Sequence, residues 1–238
     1  MRQMLFGLLL LCCVTGLARE PLQLATGEFA PFTGASLPDG GVASRIVRAA
    51  FREAGYGEPR LQYLPWGRAY HLAKTAQVAG TFPYGWNRER AALFYFSSPI
   101  YIERIIWFST KQNDKAGTGE WQGLRVCVPA GWNTAHLEPE LKKFALRLEQ
   151  PRELAQCLQL LDKGRVDLMA ISDRVMQEAS YRLFGEQWHF QPLPLYSHTN
   201  ALYLIISRRH PHGQALIEAF NQGLAALRVD GRYDQLLE

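Results

Sequence analysis

Short apolar runs of strand length alternate along this chain with stretches whose apolar residues recur every three or four positions, a pattern that predicts α/β layers. "LQLATG" (22–27) reads as a short strand and opens into the loop "EFAPFTGASLPDGG". In "VASRIVRAAFREAGY" the residues Ile46, Val47, Ala50, Phe51 and Ala54 fall on one helical face, and Gly55 is placed to end the helix. "RLQYLP" reads as a strand and "WGRAYHLAKTA" as a helix with Ala69, Leu72, Ala73 and Ala76 inward. "GTFPYG" then leads into "NRERAALFYFSSPIY" (87–101), where charged residues stand directly before an apolar and aromatic run of strand character.

"RIIWFST" (104–110) has the pattern of a buried strand and is followed by the polar "KQNDKAGTGE", a composition shift that suits a boundary between lobes. A second α/β series starts there. It comprises a strand in "LRVCVPAG", a helix around "PELKKFALRL", a helix in "PRELAQCLQLLDKG" and a strand in "VDLMAIS". "NALYLIISRR" (200–209) is a further strand, and "GQALIEAFNQGLAALRVDG" is a helix with Leu216, Ile217, Phe220, Leu224 and Leu227 on one face. "RYDQLL" closes the chain as a short helix.

The 238 residues suffice for one domain or two small ones, and 47% hydrophobic with 20% charged residues excludes a disordered chain. A net charge of +4 without a basic stripe argues against a nucleic-acid partner. The start "MRQMLFGLLLLCCVTGLARE" has a basic residue, an apolar core from Leu5 to Val14, and small residues at Gly16 and Ala18. That layout predicts a cleaved secretory signal over residues 1–18 and an exported protein not embedded in a membrane. Export removes Cys12 and Cys13. It leaves Cys127 and Cys157 either as a strand-to-helix disulfide or as two separately buried thiols.

Catalytic signatures are few. The chain has no G-x-S-x-G elbow, no phosphate-binding G-x-x-x-x-G-K, no H-E-x-x-H and no paired-cysteine zinc motif, so no cofactor or metal is expected. His71, on the helix after Trp66, is a lone acid–base nominee without an identified carboxylate partner. The "HPH" at 210–212 reads as a solvated loop.

Five segments in order give more than any single motif: "PF" after the first strand, "NRERAALFYFSSPIY", "LRVCVPAGWNT", "LDKGRVDLMAISD" and "LAALRVDGRYDQLL". This order resembles the family 3 extracellular solute-binding proteins, the periplasmic receptors of polar amino-acid transporters, over essentially the whole mature chain. The resemblance implies a type II two-lobed α/β fold with a ligand cleft between the lobes. Lobe 1 would take residues 19–108 and 202–238 and lobe 2 residues 109–201, with crossings near Ser109–Thr110 and Thr199–Ala201.

The resemblance also implies a site. Arg90 stands six residues before Phe96, where the family has an arginine that grips a ligand carboxylate, a task that suits a planar guanidinium. Its alternative is a surface charge paired with Glu89. The "GWNT" loop falls where the family places a glycine–threonine pair, so Thr134 either meets the carboxylate or caps a turn. Asp167 matches a structural aspartate. The ammonium-holding position falls on Ser172 by strict spacing, with Asp173 one residue later, and a one-residue slip reverses the face. Phe32, Trp66 and Tyr84, on or beside loops, are the candidates for stacking on the solute. Arg68 is either a second positive charge or a solvent-facing arginine.

The expectation is thus a monomeric periplasmic protein that captures a small carboxylate or zwitterion for the permease subunits of an ABC transporter. Two alternatives remain at this point: a dehydratase-like enzyme on the same fold, and a ligand-sensing module serving a signalling partner.

Overall fold

A computed structural model of the protein describes residues 21–187 and 189–237; the expected signal, residues 1–18, lies outside them. Strand β1 (Gln23–Thr26) buries its last three residues. Helix α1 (Val42–Glu53) turns Ile46, Val47, Ala50 and Phe51 inward as the spacing predicts, and Gly55 follows it at φ +78°. Strand β2 (Arg60–Tyr63) pairs parallel with β1. Helix α2 (Trp66–Lys74) buries Ala69 and Ala73, while Ala76 lies beyond its end and is half-buried. Strand β3 (Gly80–Gly85) is buried throughout and pairs parallel with the other side of β1.

The run after Asn87 departs from its strand pattern. The Asn87 side chain accepts a hydrogen bond from Arg90 N and caps a short helix, α3 (Arg88–Leu93). Only Phe94–Phe96 remain as strand β4. A local cap outweighs the propensity of the apolar residues behind it.

Strand β5 (Tyr101–Thr110) is followed by helix α4 (Asp114–Thr118), so the polar "KQNDKAGTGE" contains a helical turn capped by Asn113. Strand β6 (Arg125–Cys127), helix α5 (Glu138–Lys143) and strand β7 (Arg147–Glu149) come next. The helix expected through "PELKKFALRL" stops at Lys143. Ala145 adopts a left-handed conformation at φ +46°, and Arg147–Glu149 pair parallel with Arg125–Cys127. Backbone pairing to a sheet edge, invisible in the local pattern, takes the last residues of that run.

Helix α6 (Leu154–Asp162) carries Cys157, which is bridged to Cys127 of β6 with their Cα atoms 5.6 Å apart. The open choice between bridge and separate thiols is settled as a bridge. Strand β8 (Leu168–Ser172) and helix α7 (Asp173–Phe184) lead to strand β9 (Phe190–Ser207), 18 residues long. Helix α8 (Gly213–Val229) buries the predicted face and crosses α1 so closely that a Cβ on Gly223 would overlap the Ala50 carbonyl. Helix α9 (Arg232–Gln235) ends the fold. No helix among the described residues is long and apolar enough to cross a membrane.

One curled sheet, in the order β2-β1-β3-β9-β5-β8-β6-β7, joins two α/β lobes, with β4 added to β9. Among the described residues, β5 and β9 are the strands common to both. The second half of β9 pairs with β3 and β4, while β5 pairs with β8 from Ile105 onward. β5 and β9 pair with each other from Tyr101 to Thr110, with an irregularity between Ile105 and Trp107, and Glu103 faces Asn200 across the ladder.

Candidate functional site

The two lobes form a cleft, open to solvent at its mouth and with a cavity volume of about 100 Å³, at the place where β5 and β9 cross. The first lobe contributes Phe29, Trp66, Tyr84 and Arg90; the second contributes Trp132, Asn133, His136 and Ser172. Glu103 and Asn200 form its floor from the crossing strands.

Each side chain has a local reason for its place. Trp66 begins α2, and its indole lies flat enough on the end of β1 that a Cβ on Gly27 would strike the ring. Trp66 Nε1 donates to Glu28 O at 3.3 Å, and its ring meets Tyr84 edge-on with centroids 5.5 Å apart. Tyr84 is buried, and that burial pushes its hydroxyl up to about 12, so it stays neutral. Across the mouth Phe29 meets Trp132 edge-on at 5.3 Å, and Asn133 Nδ2 donates to Trp86 O at 3.2 Å. The lobes therefore touch over the cavity.

Arg90 sits at the start of α3 with its guanidinium over the Tyr84 ring, 5.0 Å from the centroid. Nη1 donates to Gly85 O at 2.9 Å. Among the described residues Nε and Nη2 have no partner, and no carboxylate forms an ion pair with this side chain, Glu89 included. Burial lowers its pKa, Tyr84, Tyr70 and Glu89 oppose that shift, and a guanidinium remains cationic in any case.

The opposite charge comes from Glu103. Its residue is 4% exposed, and Oε1 accepts a hydrogen bond from Asn200 Nδ2 at 2.7 Å. Burial pushes this carboxyl up to about 7; the Asn200 bond and nearby Ser172 oppose that, and Asp173 adds to it. Ser172 Oγ lies close enough to ease the charge, yet neither it nor Glu103 Oε2 completes a hydrogen bond with a described residue. His136 is held neutral, its pKa brought down to about 4 by burial and by His198, whose ring lies 4.8 Å away.

The sequence candidates divide accordingly. Arg90, Trp66 and Tyr84 are brought together on the cavity wall. Phe32 is not there: it is 0% exposed, packed between Phe29 at 5.3 Å and Tyr101 at 4.8 Å, and Phe29 lines the cavity instead. Arg68 is exposed on α2, outside the wall, as is His71. Thr134 precedes a 3-10 turn and is absent from the wall, whereas its neighbours Gly131, Trp132 and Asn133 belong to it. Asp173 turns away to accept from Arg104 Nη2 at 2.9 Å and from Arg174 N, while Ser172 faces the cavity. Asp167 accepts from Arg125 N at 2.8 Å, a structural role. Glu103 and Asn200 were missed. The one signal for Glu103 was its period-two phase with Ile105 and Trp107, which are both buried.

Solved structures share this architecture. The GluR0 ligand-binding core from Nostoc punctiforme, in complex with L-glutamate, is 19% identical, with a TM-score of 0.71 over 91% of this chain and 97% of its own. ArtJ, the arginine-, lysine- and histidine-binding protein of Geobacillus stearothermophilus, is 16% identical, with a TM-score of 0.72 over 91% and 93%. A histidine kinase sensor domain similar to periplasmic binding proteins is 18% identical, with a TM-score of 0.74 over 92% and 95%. No protein-family model and no curated protein matches the chain. The fold is that of the two-lobed periplasmic binding proteins.

Proposed function

We propose that this protein is a periplasmic solute-binding protein that captures a small carboxylate-bearing solute between closing lobes and presents it to the permease subunits of an ABC transporter. The observation that carries this reading is Arg90: a half-buried cation whose Nε and Nη2 have no partner among the described residues, in an aromatic cavity between lobes joined by two strands. A carboxylate on Nε and Nη2 would complete a bidentate pair in a site sheltered from water. In this proposal residues 19–108 and 202–238 form lobe 1, residues 109–201 form lobe 2, and the protein acts as a monomer. Closure is a shift between open and closed states, and the solute moves it by contacts it makes only when both lobes surround it.

Support for binding over catalysis comes from the side chains. His71, the acid–base nominee of the enzyme alternative, is exposed outside the cavity. The sensor alternative shares this fold with a kinase sensor domain and differs in partner, not in capture.

A thermal-shift screen of amino acids, organic acids and polyamines finds the ligand, since a molecule that binds only the folded state raises the melting temperature. Calorimetry on Arg90→Ala then tests the reading. Truncating one partner of a buried charge pair costs about 2–5 kcal/mol, so binding of a carboxylate ligand should fall below detection for all but the tightest. Undiminished affinity removes Arg90 from the site. Turnover of the ligand by purified protein would replace the reading with an enzymatic one.

A further inference from the structure

Arg90 is the cation of the cavity wall, and among the described residues Glu103 is its one acid. That acid is closed to a solute. Glu103 Oε1 accepts from Asn200 Nδ2 at 2.7 Å, while Oε2 is shut off from solvent, as are two neutral acceptors of the same wall, Ser172 Oγ and His136 Nδ1. The acids that flank wall residues in sequence do not replace it. Asp173 Oδ2 accepts from Arg104 Nε and Nη2 at 3.1 and 2.9 Å, and Oδ1 accepts from Arg174 N at 2.8 Å. Glu28 Oε1 accepts from Ala35 N at 3.0 Å, Glu89 is exposed, and all three of these acids lie outside the wall. Among the described residues the cavity therefore offers a solute one free charge, and it is positive.

We propose that the solute is a compact apolar carboxylate with no ammonium group, its carboxylate on Arg90 Nε and Nη2 and its hydrocarbon body against the apolar part of the wall. The assignment rests on the reading of the cavity as a solute site with Arg90 at the carboxylate, and it adds the substrate class. Ile105, Val128, Leu137 and Leu202 supply the apolar surface, and Trp66 and Trp132 flank it from the two lobes. Three of these, Ile105, Val128 and Leu137, belong to the core of the second lobe, so the body of the solute would extend that core. Size follows from volume. The cavity measures about 100 Å³, and since a dry apolar cavity of about 150 Å³ holds one benzene, the fit is to a solute of about three to six carbon atoms.

Charge decides against the zwitterion. A carboxylate that leaves water for Arg90 exchanges its hydration for a paired, two-donor contact. An ammonium carried in beside it loses its hydration and meets no accessible anion, which is the costly case of a buried charge without a partner. The two titratable groups of the wall other than Arg90 and Tyr84 reinforce this. Burial pushes the Glu103 carboxyl up to about 7, so near neutral pH it is held in part as the neutral acid, and burial with the His198 ring 4.8 Å away brings His136 down to about 4, so it presents a neutral ring.

The test titrates three probe sets with common carbon skeletons into the wild type by calorimetry. They are alanine, valine and leucine; their deamino acids propanoate, isovalerate and isocaproate; and their decarboxylated amines ethylamine, isobutylamine and isoamylamine. The expected result is a deamino acid that binds, its amino acid binding more weakly by about ten-fold or more, and no binding of the amine. The same deamino acid should lose its binding to Arg90→Ala. Where that variant fails to fold, the neutral amide of the acid, titrated into the wild type, reads the carboxylate contact instead and should not bind. Amino acids that bind as tightly as their deamino acids overturn this inference, and with binding still lost in Arg90→Ala or in the amide they leave the carboxylate reading intact. Deamino acids that bind Arg90→Ala undiminished, or whose amides bind equally well, overturn the role of Arg90 and this inference with it. Binding by the amines alone, or by none of the sets, overturns both.

Discussion

Glu103→Gln removes one buried charge, keeps an acceptor for Asn200 Nδ2, and leaves the packing volume nearly unchanged. Its effect on the stability of the ligand-free protein follows from linkage. In the unfolded chain the carboxyl titrates near its ordinary 4.5, and in the folded protein burial moves it up to about 7. Between those values the folded state holds a proton that the unfolded state has lost, so folding stability falls as pH rises. At about 1.4 kcal/mol per pH unit across that window, the loss amounts to about 3 kcal/mol by pH 8 and is close to zero at pH 4. For a chain of this size that corresponds to about 6–12 °C in Tm. Urea or thermal denaturation of wild type and variant from pH 4 to 8.5 measures it. The stability of Glu103→Gln relative to wild type should rise across the window. A fixed offset from an imperfectly paired amide cancels in this comparison. Parallel pH profiles would refute the reasoning by showing that Glu103 is solvated or already paired.

Other expectations follow from the packing. The Cys127–Cys157 bridge closes a loop of 30 residues, so Cys127→Ala with Cys157→Ala should cost about 3 kcal/mol and lower Tm by about 10 °C, read by calorimetric scanning against the oxidised, bridged wild type. Trp132→Ala removes the edge-on contact with Phe29 that joins the lobes over the cavity. It should weaken a ligand found by screening about three- to ten-fold with little loss of folding stability, measured by titration and by scattering for a more open average shape. Phe32→Ala should cost about 3–5 kcal/mol of stability because its ring is fully buried among Phe29 and Tyr101, whereas Arg68→Ala on the exposed face of α2 should change neither stability nor affinity.

Local patterning determined most of the elements. The spacing of Ile46, Val47, Ala50 and Phe51 and of Leu216, Ile217, Phe220 and Leu224 found α1 and α8, because amphipathic periodicity records which face is buried without naming what buries it. The order of the motifs carried the two-lobed fold, and the expectation from the distance to Phe96 pointed to an arginine, Arg90, that lines the cavity. Tertiary structure alone decided three things. It placed Phe29 rather than Phe32 on the cavity wall, because two rings flanking a proline in one loop have no periodicity to separate them. It bridged Cys127 to Cys157, because the approach of a strand to a helix is not written in either segment. It made Glu103 a floor residue, because a carboxylate's burial depends on the partner strand that covers it. Only the crossing of β5 with β9, remote in sequence, brings Asn200 opposite and shuts out the water.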